Sequence, residues 1–361
     1  MFDIQSFTQQ VRRNCDISDA QNAGLYSICG LALRLRDLFK WENRLPPWEE
    51  KESSEVLEWI GTKEDAWERL LESEYLPLSI EDTTFDPFDT GAVNAVVEPR
   101  GYFYGAGYAH SLKPTFFLAA IEDKQEINSF GVYRLGQELA RDLLTLPALT
   151  QDNSVVFRRE AAGVYLWDKL FYIKKSGRPL LRLALDSYGL KDQSYDALRS
   201  HLDGILAAQA DTYIYHEIGE MCDTVFDRDL WREIIGAHPH SPVELIARTV
   251  KDLLADTHEH GTLPHLIRQR RLAPLALYGA FLDGLAREFF PELREALYRF
   301  IGLRKWSLIE DAVAAGRERV RRHAATVIDI YSAGKQKNDT EWTREELVRR
   351  LIGDRCAPRS D

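Results

Sequence analysis

The residues best suited to chemistry lie in the run Tyr213-Ile214-Tyr215-His216-Glu217-Ile218-Gly219-Glu220. On a helix, at about 100° per residue, His216 and Glu220 stand about 40° apart, with Tyr213 and Glu217 inside the same arc of about 100°. An imidazole and a carboxylate pointing one way are two divalent-metal ligands. Glu217 beside them is a carboxylate that could take a proton from a metal-held water, and Tyr213 is the second candidate catalytic side chain.

The competing reading is a solvated polar face, since Ile214, Ile218, Met221 and Val225 lie on the opposite side. The preceding turns argue for burial. Leu198, Leu202, Ile205, Leu206 and Tyr213 fall within about 80° of the direction of His216, although Gln209 and Thr212 interrupt the stripe. A helix that is apolar on two sides enters a bundle, where carboxylates and imidazole are costly unless paired or bound to a cation. Gly219 costs roughly 1 kcal/mol against Ala in a helix interior and marks a place where another element packs close. The structural alternative is a buried ion pair with Arg158 or Arg159.

Further ligands are sought among the histidines, five of which fall between residues 238 and 265. His258 and His260 come at the end of a helix capped at Ser241, and one of them, or His265, is the expected completion of the site. Two nitrogens and one oxygen make a three-ligand zinc site with an open position, so zinc is expected ahead of iron or manganese. Without a metal, a histidine there still faces the negative end of the helix favourably. His238 and His240 flank a loop proline, and Cys222 reads as a small buried hydrophobe. His216-Glu217 resembles part of the zincin metallopeptidase pattern H-E-x-x-H, with Glu220 in the place of the second histidine. That likeness spans five residues and assigns no family.

A dinuclear iron or manganese oxidoreductase would draw on Glu138, Asp142 and Glu160, but E-x-x-H, its usual signature, is absent. Glu138 and Asp142 beside Arg141 read more simply as a solvated, salt-bridged helix face. Gly105-Ala-Gly107 lies in aromatic strand-like sequence rather than before a helix, and no G-x-x-x-x-G-K-[ST] loop or G-x-S-x-G elbow is present. No nucleotide cofactor is expected. Tyr102, Phe103, Tyr104 and Tyr108 are expected to pack on a core.

The elements that must position these residues follow from periodicity. A first long helix is expected over 20–41, then two shorter acidic ones between Glu55 and Glu74, the second entered at Thr62. Three to five short antiparallel strands are expected between Phe85 and Leu135. Helices follow near 136–146, 155–172, 195–227, 242–257, 264–288 and 304–331. Capping boxes are expected at Ser241-Pro242-Val243-Glu244 and at Thr343-Arg344-Glu345-Glu346. The expected fold is α+β and predominantly α, in three regions: 1–84 acidic and helical, 85–135 a small antiparallel β region, 136–361 a bundle-like helical domain.

Composition bounds the function. The chain has 361 residues, is 45% hydrophobic and carries a net charge of −11. Residues 42–89 hold fifteen acidic and four basic side chains, which accounts for all of that charge. Nucleic acid is an unlikely partner without a basic motif, and no apolar stretch approaches the roughly 18 residues a membrane span needs. A polar N-terminal stretch and four scattered cysteines point to a reducing cytoplasm. The leading expectation is a metal-binding protein, with a metal-dependent hydrolase as its enzymatic form. The alternative is a non-catalytic interaction protein that binds a basic partner, or a second copy of itself, through residues 42–89; the helix face Arg317–His323 is one such complement.

Overall fold

The computed structural model describes residues 2–191 and 194–353; Cys356 lies outside them. It is mainly helical α+β, and it divides into two compact units, residues 1–171 and 172–361.

In the first unit, α1 (Ile4–Asn22) is opened by Asp3, whose carboxylate accepts from the N–H groups of Gln5 and Ser6. A short turn and an N-cap at Ser27 separate it from α2 (Ile28–Glu42). The single helix expected over 20–41 is therefore two, broken where Gly24 and the serine cap offer the backbone a stop. One helix, α3 (Ser53–Glu68), replaces the expected acidic pair. Thr62 sits inside α3, its hydroxyl donating to the Glu58 carbonyl rather than capping an end (3.0 Å).

A hairpin of β1 (Leu78–Ile80) and β2 (Thr83–Phe85) and a short helix, α4 (Thr90–Val97), lead into a mixed sheet. Its strands are β3 (Tyr102–Tyr108), β4 (Pro114–Ile127), β5 (Phe130–Arg141), β6 (Ala148–Gln151) and β7 (Ser154–Arg158), in the order β3-β4-β5-β7-β6. β5 and β7 run parallel, and the other neighbours are antiparallel. Phe7, Val11 and Cys15 of α1 pack on one face against Tyr104, Phe116 and Leu118; Phe103, Phe117 and Tyr133 cover the other. Gly105 pairs with Phe117, whose ring lies where a Cβ would stand. The unit closes on α5 (Arg159–Phe171).

The strands thus run on to Arg158, and the helix expected over 136–146 is the end of β5 and the loop behind it. Glu138 and Asp142 are not a wet helix face. Both are fully buried, Glu138 against Arg158 (2.7 Å) and Arg141 (3.7 Å), Asp142 against Lys113 (3.1 Å). With their carboxylates held by cations of this unit, they do not form the carboxylate-bridged dinuclear site.

The second unit contains α6 (Arg178–Ser187), α7 (Tyr195–Cys222), α8 (Arg228–Ala237), α9 (Pro242–Thr257), α10 (Thr262–Arg268), α11 (Leu272–Phe281), α12 (Gly284–Phe289), α13 (Pro291–Leu303), α14 (Ser307–Lys337) and α15 (Thr340–Leu347). α9 starts where its capping signature stands: the Ser241 hydroxyl accepts from the Glu244 N–H (3.3 Å), and Pro242 takes the first helical position. α15 starts earlier than its box suggests, because Asp339 caps it and Thr343 is buried. α9 buries Val243, Ile246, Val250, Leu253 and Leu254. At about 1.5–3 kcal/mol for each such side chain, this apolar face anchors the helix far more firmly than its cap. Arg317 and Arg319 of α14 pair within their own unit, with Asp223 (3.6 Å) and Glu292 (2.5 Å).

Candidate metal centre

α7 buries the expected stripe, Leu198, Leu202, Ile205 and Leu206, and continues through Ile214, Glu217, Ile218 and Gly219. Gln209, which interrupts the stripe in sequence, is buried too and accepts from the Thr212 hydroxyl (2.8 Å). Gly219 packs directly on the backbone at the end of α9. A Cβ there would lie 2.2 Å from the Ala255 carbonyl oxygen, and one on Gly261 would lie 1.9 Å from the same oxygen. These absent side chains let the backbones touch.

The crossing sets two pairs of residues, each four apart, against each other: His216 and Glu220 on α7, Asp252 and Asp256 on α9. Nδ1 of His216 is 2.9 Å from Oδ1 of Asp256. A carboxylate can only accept, so Nδ1 carries the proton and Nε2 is turned the other way. The second oxygen of Asp256 accepts from the Tyr278 hydroxyl (2.7 Å). Nε2 faces Oε2 of Glu220 at 3.9 Å. Asp252 joins them: ligand atoms of His216, Glu220 and Asp252 all lie within 4.8 Å of one another. Lys251 forms an ion pair with the other oxygen of Glu220.

Four acidic side chains therefore meet one lysine and one histidine, and the surplus shows in their protonation. Desolvation, then the charge of Glu220, pushes Glu217 up to about 8. Asp252 keeps an exposed edge, yet desolvation, with Glu220 and Asp256 as like charges, outweighs the pull of His216 and pushes it up to about 6. Desolvation opposes the charged forms of His216 and Glu220 as well, yet partners win: Asp256 holds His216 well above its ordinary value, and Lys251 with His216 holds Glu220 below its own.

The expected ligands divide. His216 and Glu220 converge, with Glu217, buried, between them on α7 and making no hydrogen bond among the described residues. Tyr213 is half-buried on the preceding turn, outside the ligand group. His258 and His260 are outside it as well. His258 caps α9 with an extended backbone, so the chain has left the helix that carries Asp252, and its Nδ1 accepts from the His260 N–H (3.2 Å). His265 stacks on Tyr215, ring centroids 3.5 Å apart. Arg158 belongs to the Glu138 pair, and Arg159 lies near Glu122 (3.3 Å). The cation beside Glu220 is Lys251.

Asp252 was hidden because on α9 alone it reads as one more solvated carboxylate. The available signal was its spacing to Asp256, which repeats the four-residue interval of His216 and Glu220. No curated protein and no solved structure matches this chain. Residues 6–158 match the N-terminal domain, and residues 164–350 the C-terminal domain, of a family of unknown function (DUF6866). The chain belongs to that family.

Proposed function

We propose that the second unit is a divalent-metal-binding domain whose ion is held by His216, Glu220 and Asp252. The observation that supports this is the convergence of those three ligand atoms with Asp256 behind the imidazole. Metal-binding histidines regularly donate their second N–H to a carboxylate, which fixes the tautomer and turns the free nitrogen toward the ion. Donors held about 2.1 Å from one ion sit roughly 3–4 Å apart, and the 3.9 Å between His216 and Glu220 fits that spacing. One imidazole and two carboxylates form a harder donor set than the two-histidine site expected from sequence. It favours manganese or ferrous ion over zinc.

The reaction class that suits this arrangement is metal-assisted hydrolysis. A bound cation supplies Lewis acidity. Glu217, next to a ligand and making no hydrogen bond among the described residues, would accept the proton of the attacking water once ionised, which without a cation beside it needs a pH above about 8, and Lys251 holds Glu220 in place. Elemental analysis of the purified chain tests the assignment. About one manganese, iron or zinc per chain is expected, falling to background in His216→Ala and Asp252→Asn. Background metal in the parent chain after dialysis against manganese would sink the reading.

A second reading rests on α3. Trp67 is its buried residue, and Glu55, Glu58, Glu64, Asp65 and Glu68 are exposed. Such a face suits a basic protein partner and is independent of the metal centre.

A further inference from the structure

We propose that a cleft between the end of α9, α10 and α14 binds a phosphate group carried on a small organic molecule. Its volume of about 680 Å³ falls in the range of small-molecule sites. Arg268, Arg270, Arg317 and Arg321 line it together with His258. Arg317 and Arg321 are four apart on α14, a like-charge pair that disfavours the helix by itself.

The arginines are fixed and partly neutralised, and Glu259 and Glu310 share the lining, so four guanidinium groups face two carboxylates there. Arg317 donates to the Leu254 carbonyl (3.2 Å) and lies 3.6 Å from Asp223. Arg268 donates to the Glu259 carbonyl (2.8 Å), and the nearest carboxylate to Arg321, that of Glu318, is 3.9 Å away. Arg270 has the shortest of these ion pairs, with Glu310 at 2.8 Å. By covering Leu254, Arg317 also offsets the negative end of α9, which would otherwise repel an anion. Desolvation and Arg321 press Arg317 below its ordinary value, and desolvation and Arg317 do the same to His258.

Several guanidinium forks around one concavity suit a tetrahedral dianion, whose oxygens accept from more than one direction, better than a planar carboxylate. The apolar part of the wall, Ile267 and Val313 among others, suits an organic body attached to that anion. Free phosphate would leave that wall uncovered.

Calorimetric titration of the full chain, with chelator present so that no metal holds the anion, tests this with phenyl phosphate and inorganic phosphate. Phenyl phosphate is expected to bind about tenfold or more tightly than inorganic phosphate, and Arg321→Gln to weaken it by about tenfold or more. Arg321 is exposed, so its loss leaves the fold intact; Arg268→Gln is the second variant. Absence of phenyl phosphate binding overturns the proposal. So does an affinity unchanged in both variants, or binding confined to a single-stranded oligonucleotide.

Discussion

Asp256 allows the metal assignment to be tested without touching a ligand. One of its oxygens takes the imidazole N–H, the other the Tyr278 hydroxyl. Asp256→Asn is expected to lower manganese affinity by about 10–100-fold in a competitive chelator titration, because the imidazole loses its fixed tautomer. His258→Ala should leave that affinity unchanged, which separates the proposed site from the histidine-completed one. A single side chain also sets a pH dependence in the first unit. Desolvation, then Asp37, pushes Asp168 of α5 up to about 6 from 3.8. The folded state therefore binds its proton more tightly than the unfolded chain, and stability contributed below pH 3.8 is lost as pH rises through 6. Asp168→Asn removes that loss. Its melting temperature should exceed the parent's at pH 8 and coincide with it near pH 3.5, as read by thermal denaturation.

At the scale of elements, the candidate metal centre depends on how closely α7 and α9 approach. Gly219→Ala puts a methyl group against the Ala255 carbonyl, which is backbone and cannot rotate away. Overpacking of this kind costs about 1–3 kcal/mol, so urea denaturation should show a net loss, accompanied by loss of metal. Gly204, on the same helix with nothing within 4 Å of a Cβ, is the control. Gly204→Ala should gain about 0.5–1 kcal/mol and keep the metal. This contrast also marks what a sequence can tell. The bounds of α9 were legible because Ser241 and Pro242 state a helix start in local chemistry. His216 and Glu220 were legible because one helix holds both. Asp252 was not, since its neighbours are set by a crossing that no local period encodes. The end of β5 was misread because Leu135, Leu139 and Leu143 imitate a helical interval, and because charges as buried as Glu138 and Arg141 look like a wet face. Irregular register against β4 removed the alternation that would have revealed a strand.

Over the whole molecule, charge is handled in three ways. In the first unit Lys113, Arg141 and Arg158 are buried with Asp19, Glu138 and Asp142, three cations against three anions. Such a set balances in charge and is costly to break, although Oε2 of Glu138, the guanidinium nitrogens of Arg141 and Nη2 of Arg158 make no hydrogen bond among the described residues. In the second unit the acidic surplus around His216 is open to a cation. The net charge of −11, all of it within residues 42–89, is outermost, on and around α3. Replacing Glu55, Glu58, Glu64, Asp65 and Glu68 by glutamine should abolish retention of the chain on immobilised polylysine at about 0.15 M salt and leave metal content unchanged. Retention that persists would take the basic-partner reading away from α3. The contact at Gly219 has a consequence across lineages. Any member of the family that carries a side chain at that position is expected to hold the two helices further apart, and with them Asp252 from His216. A side chain at position 219 in a relative thus predicts loss of the proposed ion site even where both pairs of side chains survive.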